Sequence, residues 1–135
     1  MIYMLDTYAC IRYLNNPASS VGLRFVEKRQ DEIVISAVTE FEILFGALNA
    51  DNPPRECQRA EEFLKRFECV AYDRRAAQIA AQLHHELCSK GQMIGPLDLQ
   101  IAATAVLINA ILVTHNVREF SRVPHLQCED WEASL

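Results

Sequence analysis

Short apolar runs alternate along this chain with longer segments whose apolar residues recur every three or four positions. Ile2 to Leu5, Ile33-Val34-Ile35, Cys69-Val70-Ala71 and Ile111-Leu112-Val113-Thr114 are short, apolar runs, which predicts buried strands. Leu126 to Cys128 predicts a last edge strand, with Trp131 packing the tail. Between the strands, the spacing predicts helices. One follows the capping pair Asp6-Thr7 through Cys10, Ile11 and Leu14, and is broken at Asn15-Asn16-Pro17. A second opens at Ser19-Ser20 and ends in the polar run from Glu27 to Glu32. Ser36 caps a third, which closes near Gly46 and Asn49. After the loop Asp51-Asn52-Pro53-Pro54, a fourth puts Ala60, Phe63, Leu64 and Phe67 on one face. Asp73 caps a long helix ended by Ser89-Lys90-Gly91, and Gly95-Pro96 opens another with Leu97, Ile101, Ala105 and Ile108 facing the core. His115 to Phe120 reads as a loop or short helical turn. Short apolar strands alternating with helices imply a parallel sheet covered on both faces. Ligands then bind beyond the carboxyl ends of the strands.

Three carboxylates interrupt this pattern. Asp6 directly follows the first strand, so it lies on the ligand-binding edge; its plain reading is a helix cap. Glu42 shares a helical stripe with Val38, Phe41 and Phe45, and a carboxylate facing a core must be paired, metal-bound or neutral. Glu40, on the opposite side of that helix, reads as a solvated charge. Asp98 lies at the second or third position of its helix, where the helix dipole favours an acid, and shares a face with Ile101, Ala102 and Ala105. Carboxylates alone suit a hard cation, Mg²⁺ or Mn²⁺, and point to phosphoryl chemistry. Thr7 and Thr114 flank the same edge, Asn116 could offer an oxygen or hold a ligand water, and Glu119 follows one turn later.

Composition narrows the classes. The 135 residues are half hydrophobic, enough for one domain over residues 1–135 with a real core. No apolar stretch is long enough to span a membrane, and no basic leader precedes the first strand. The five cysteines form no CxxC pair, which fits a reducing cytoplasm. The four histidines have no HxxxH spacing, which disfavours zinc, and no Gly-rich phosphate loop or GxSxG occurs. The net charge of −5 argues mildly against nucleic acid as a partner, although a bound cation would offset part of it.

Four segments carry a resemblance: Met4-Leu5-Asp6-Thr7, Ile35 to Gly46, Ile94 to Ala103, and Leu112 to Phe120. In this order they resemble the PIN-domain ribonucleases, and among them the VapC toxins of bacterial toxin–antitoxin pairs. The resemblance implies a three-layer α/β/α PIN-like domain with a central, mostly parallel twisted sheet. It implies that Asp6, Glu42 and Asp98 form the catalytic, metal-holding cluster, supported by Thr7, Thr114, Asn116 and Glu119. The activity implied is a Mg²⁺- or Mn²⁺-dependent endoribonuclease acting on structured RNA such as a tRNA. Lys90, Arg118 and Arg12 are candidate RNA contacts by nearness in sequence. The partners implied are a VapB-type antitoxin, a second copy in a homodimer, and DNA only through the antitoxin. Two positions depart from the pattern: Tyr8 stands where Asn is usual, and Asn116 where Asp is common. They keep open an alternative reading, a toxin-like subunit that binds antitoxin without cleaving. A phosphatase with Asp6 as nucleophile ranks below both, because the second acid it needs would fall at Tyr8.

Overall fold

The computed structural model describes residues 1–132. Among them, five strands form one sheet: β1 Tyr3–Leu5, β2 Ile33–Ser36, β3 Glu68–Val70, β4 Ile111–Val113 and β5 Gln127–Glu129. The order across the sheet is β3-β2-β1-β4-β5, and all four pairings are parallel. The helices are α1 Thr7–Asn15, α2 Ser20–Val26, α3 Ala37–Leu48, α4 Pro53–Leu64, α5 Arg74–Ser89, α6 Pro96–Leu107 and α7 Val117–Phe120. A single 3-10 turn, Gln30–Glu32, occupies the end of the polar run before β2.

Period-two alternation in the strands separates two cores. Tyr3, Leu5, Ile33, Ile35, Ile111 and Val113 pack on one face with residues of α1, α2, α3 and α4. Met4, Val34 and Leu112 point to the other, against α5 and α6. This is the three-layer α/β/α arrangement that the alternation of elements predicts. The helix starts follow the expected chemistry: Asp6, Ser19, Ser36 and Asp73 each accept a hydrogen bond from the backbone N–H three residues on. Trp131 is buried, with its ring centroid 5.6 Å from that of Tyr3, so it pins the tail to β1.

Several expectations need correction. β3 and β5 are offset by one residue from the expected runs, toward Glu68 and Glu129 respectively. Both are edge strands, where burial gives a weaker signal. Phe67 lies beyond the end of α4, yet is buried beside Phe25 and Phe63. Phe41 and Phe45, read as part of a core stripe, are 56% and 60% exposed. The core face of α3 is Val38, Thr39, Ile43 and Ala47 instead. Glu40 is half-buried, with its carboxylate beside Cys69, rather than freely solvated.

α2 meets the preceding loop closely at Gly22. A Cβ there would collide with the backbone carbonyl of Pro17. Gly22→Ala is therefore expected to destabilise the chain by roughly 1–3 kcal/mol, the usual cost of overpacking. A urea midpoint equal to that of the unmodified chain would refute the close approach.

Candidate active site

Strand order places a switch point between β1 and β4. The chain runs from β1 outward through β2 to β3, then crosses to β4 on the other side of β1. In parallel sheets a crevice opens there, beyond the carboxyl ends of the strands. Leu5 pairs with Val113, so the next residues, Asp6 and Thr114, stand level at its floor.

Asp6 is buried and serves as the N-cap of α1, its Oδ1 accepting from the Ala9 N–H at 2.9 Å. Burial pushes its carboxyl up to about 6, aided by the charges of Asp98 and Glu132. The Thr114 hydroxyl and the Ala9 amide oppose that rise by hydrogen bonding to the carboxylate. Thr114 also accepts from the Asn116 N–H at 3.0 Å, which fixes the turn after β4.

Asp98 occupies the third position of α6, where Pro96 is the first residue and Gly95 the cap. Buried Ala102, Ala103 and Ala105 let that helix lie close to the sheet. Asp98 is half-buried, and its carboxyl is raised first by burial, then by Glu119 and Glu42. Asp98 thus senses acids from three other elements: Asp6 before α1, Glu42 on α3 and Glu119 on α7.

Neutral donors orient the remaining acids. The Thr7 hydroxyl donates to Glu42 Oε1 at 2.6 Å, and the Thr39 hydroxyl lies 3.3 Å from that of Thr7. Asn116 Nδ2 donates to Glu119 Oε2 at 2.9 Å. Asn116 therefore presents its amide to Glu119, and Glu119 is the group that faces Asp98.

Of the predicted residues, hydrogen bonds join Thr7 to Glu42 and Asn116 to Glu119, Thr114 holds Asp6, and the charges of Glu119 and Glu42 bear on Asp98, as that of Asp98 bears on Asp6. The predicted cations are less tightly associated. Arg12 is held by Glu132, with Nε 3.3 Å from Oε1. Lys90 caps the end of α5 at the surface, and Arg118 is exposed on α7. No described contact ties either to the acids.

Two features escaped the sequence reading. Thr39, buried behind Thr7, carries only the weak signal of a polar residue one turn before Glu42. His115 lies 3.1 Å from Asp130 and 3.8 Å from Glu132. That ionic knot depends on how the tail folds back beside α1, and no local spacing encodes it.

The candidate side chains Asp6, Glu42 and Asp98 offer only oxygens, the donor type that hard divalent cations take. Burial first, and neighbouring acids after it, raise the carboxyls of Asp6 and Asp98. Among the described residues, no group of three or more Asp, Glu, His or Cys side chains stands close enough to hold a metal ion by itself. Mg²⁺ is commonly held by one or two carboxylates with the remaining positions left to water and phosphate.

A parallel three-layer α/β/α domain with its switch point between β1 and β4 is the class that the fold defines. The PIN domain family model matches residues 3–126. The chain is 40% identical over 129 residues to the tRNA(fMet)-specific endonuclease VapC of Shigella flexneri, covering 96% of this chain and 97% of that one. It is 34% identical over 133 residues to Ribonuclease VapC2 of Rickettsia felis, covering 98% of this chain and 99% of that one. Its fold matches a chain of the DNA-bound VapBC complex of Salmonella typhimurium with a TM-score of 0.91. That match has 36% identity and covers 97% of this chain and 98% of that one. The chain belongs to the PIN-domain family, in its VapC branch.

Proposed function

We propose that this chain is the endoribonuclease toxin of a VapBC-type pair, hydrolysing phosphodiester bonds of structured RNA, a tRNA first among them. What supports this reading is the position of Asp6 at the switch point of the sheet and the coupling of Asp98 to Asp6, Glu42 and Glu119, with the carboxyls of Asp6 and Asp98 both raised. The names of its relatives support it. Asp6, Glu42 and Asp98 would hold the cation, and Glu119 supplies the fourth acid where Asn116 is neutral. A bound Mg²⁺ or Mn²⁺ supplies charge stabilisation to the scissile phosphate and lowers the pKa of the attacking water.

The chain's own residues do the positioning. Thr114 and the α1 amide hold Asp6, Thr7 holds Glu42, and Asn116 holds Glu119. Asp6, Glu42 and Glu119 are thus oriented by neutral donors before any ligand arrives, whereas Asp98 is placed by the start of α6. Tyr8 is 76% exposed, so its ring does not displace the acids. This favours an active enzyme over an inactive subunit. The antitoxin-free chain incubated with total tRNA and Mn²⁺ is expected to give discrete fragments. Intact tRNA after incubation with folded protein would overturn the reading.

The partner is a VapB-type antitoxin, in line with the VapBC complexes that share the fold. α1, α3 and α4 enclose a cavity of about 220 Å³ lined by Ile11, Leu14, Ile43, Gly46 and Ala60, with Glu42 also in its wall. An antitoxin segment with apolar side chains and one basic group would fill the cavity and reach the acids. The exposed stripe Phe41, Phe45 and Leu48 beside it suits contact with a second copy. A Cβ at Gly46 meets nothing within 4 Å, so the backbone there accepts a side chain, and Gly46→Leu is expected to project into the groove, with circular dichroism checking the fold. Antitoxin affinity, measured by calorimetric titration, is expected to fall at least about tenfold, on the order of 1.4 kcal/mol. Unchanged affinity would place the antitoxin elsewhere.

A further inference from the structure

Tyr8 is the most exposed large hydrophobic side chain among the described residues, at 76%. A tyrosine left in solvent is unremarkable on a random surface. Its placement is what gives it meaning. Tyr8 lies two residues beyond Asp6, in the first turn of α1. The Asp6 carboxylate caps it, and Thr7 is tied to Glu42. The backbone that carries the ring is therefore rigid, while the ring is free. No aromatic partner stacks on it among the described residues, whereas Phe41 and Phe45 stack on each other at 6.3 Å.

One turn along the same face stands Arg12, about 6 Å further along the helix axis. Its guanidinium is anchored by Glu132, the same acid whose charge bears on Asp6. Tyr8 and Arg12 thus form a ledge beside the acid cluster. A flat π-face followed by a cation, next to a phosphodiester-cleaving crevice, suits a single-stranded nucleotide. The chain's net charge of −5 adds weight to stacking, because bulk electrostatics cannot draw RNA to it.

We infer that Tyr8 stacks on the unpaired base flanking the scissile phosphate, and so helps select which RNA strand enters the site. The inference rests on the ribonuclease reading above and extends it to substrate recognition. Stacking is set by the area of the π-face, so a purine is expected to be favoured over a pyrimidine at that position.

The test uses short single-stranded RNAs, each carrying one 2-aminopurine, titrated with the full-length Asp98→Asn chain so that binding is read without cleavage. Quenching of one position by the Tyr8 chain, its loss with Tyr8→Ala and its retention with Tyr8→Phe are expected. Affinity should fall about tenfold with Tyr8→Ala. In cleavage-competent protein, Tyr8→Ala should raise KM about tenfold with kcat within about twofold, matching the known worth of a base–aromatic stack. Equal quenching and affinity for Tyr8 and Tyr8→Ala would overturn the inference while leaving the ribonuclease reading intact. Absence of cleavage by the unmodified chain would instead strike that reading, and the quenching would still decide the role of Tyr8. The ring is exposed, so Tyr8→Ala should unfold at the same temperature as its parent.

Discussion

Asp98→Asn is expected to lower the RNA cleavage rate by roughly 10²–10³-fold, the usual loss when a preorganised electrostatic group is removed from a reacting centre. Asp98 is the acid whose charge is coupled to Glu42 and Glu119, and it also bears on Asp6. Removing its charge takes away the group that joins the two sides of the crevice. The fold should survive. The lost interaction with the α6 dipole, about 0.3–1 kcal/mol, is offset by relief of repulsion among the acids. Single-turnover cleavage of tRNA measures the rate, and circular dichroism checks the fold. Cleavage within about threefold of the parent rate would remove Asp98 from the proposed site.

Asp6→Asn is expected to make the metal-free chain more stable at pH 7, by an amount on the order of 3 kcal/mol. The Asp6 carboxyl titrates near 6 in the folded chain, against 3.8 ordinarily. A carboxyl raised in this way contributes stability that is fully present below about pH 4. That stability is lost as pH rises through about 6. At neutral pH the folded chain therefore carries a buried charge that the unfolded chain would solvate. Asparagine can still accept from the Ala9 amide, so the helix cap remains. The raised carboxyl of Asp98 acts in the same direction and stays in the variant. Thermal unfolding in EDTA from pH 5 to 8 checks this. The parent should lose stability across that range more steeply than Asp6→Asn. Added Mn²⁺ should stabilise the parent at pH 7 much more than the variant. Parallel pH profiles would contradict the buried-charge account.

The placement of Asp6 and Thr114 was legible because it depends on strand ends. Asp6 and Thr114 follow apolar runs directly, and parallel alternation sends both to one sheet edge. Asp98 was legible from Gly95-Pro96 and the small residues on its face, which fix both the start of α6 and its approach to the sheet. The face of α3 was not. Val38, Phe41, Glu42 and Phe45 form a consistent stripe by spacing, yet packing against α4 and the sheet selects Val38, Thr39, Ile43 and Ala47. Aromatic periodicity marks a surface that will be covered, without saying whether the core or another chain covers it. Glu42 still reaches the site, by way of Thr7 rather than by burial in the core. The link from Arg12 to Glu132 joins opposite ends of the chain. Only the folded tail, pinned by Trp131 against Tyr3, brings them together.

Whether the carboxylate crevice cleaves RNA with a divalent cation is decided by single-turnover cleavage of total tRNA by the antitoxin-free chain across a Mn²⁺ titration, beside an EDTA control. The rate is expected to rise to saturation with Mn²⁺, to disappear in EDTA, and to be reduced at least about a hundredfold at every concentration in Asp98→Asn. A rate that persists in EDTA, or that Asp98→Asn leaves unchanged, would contradict that role of the crevice.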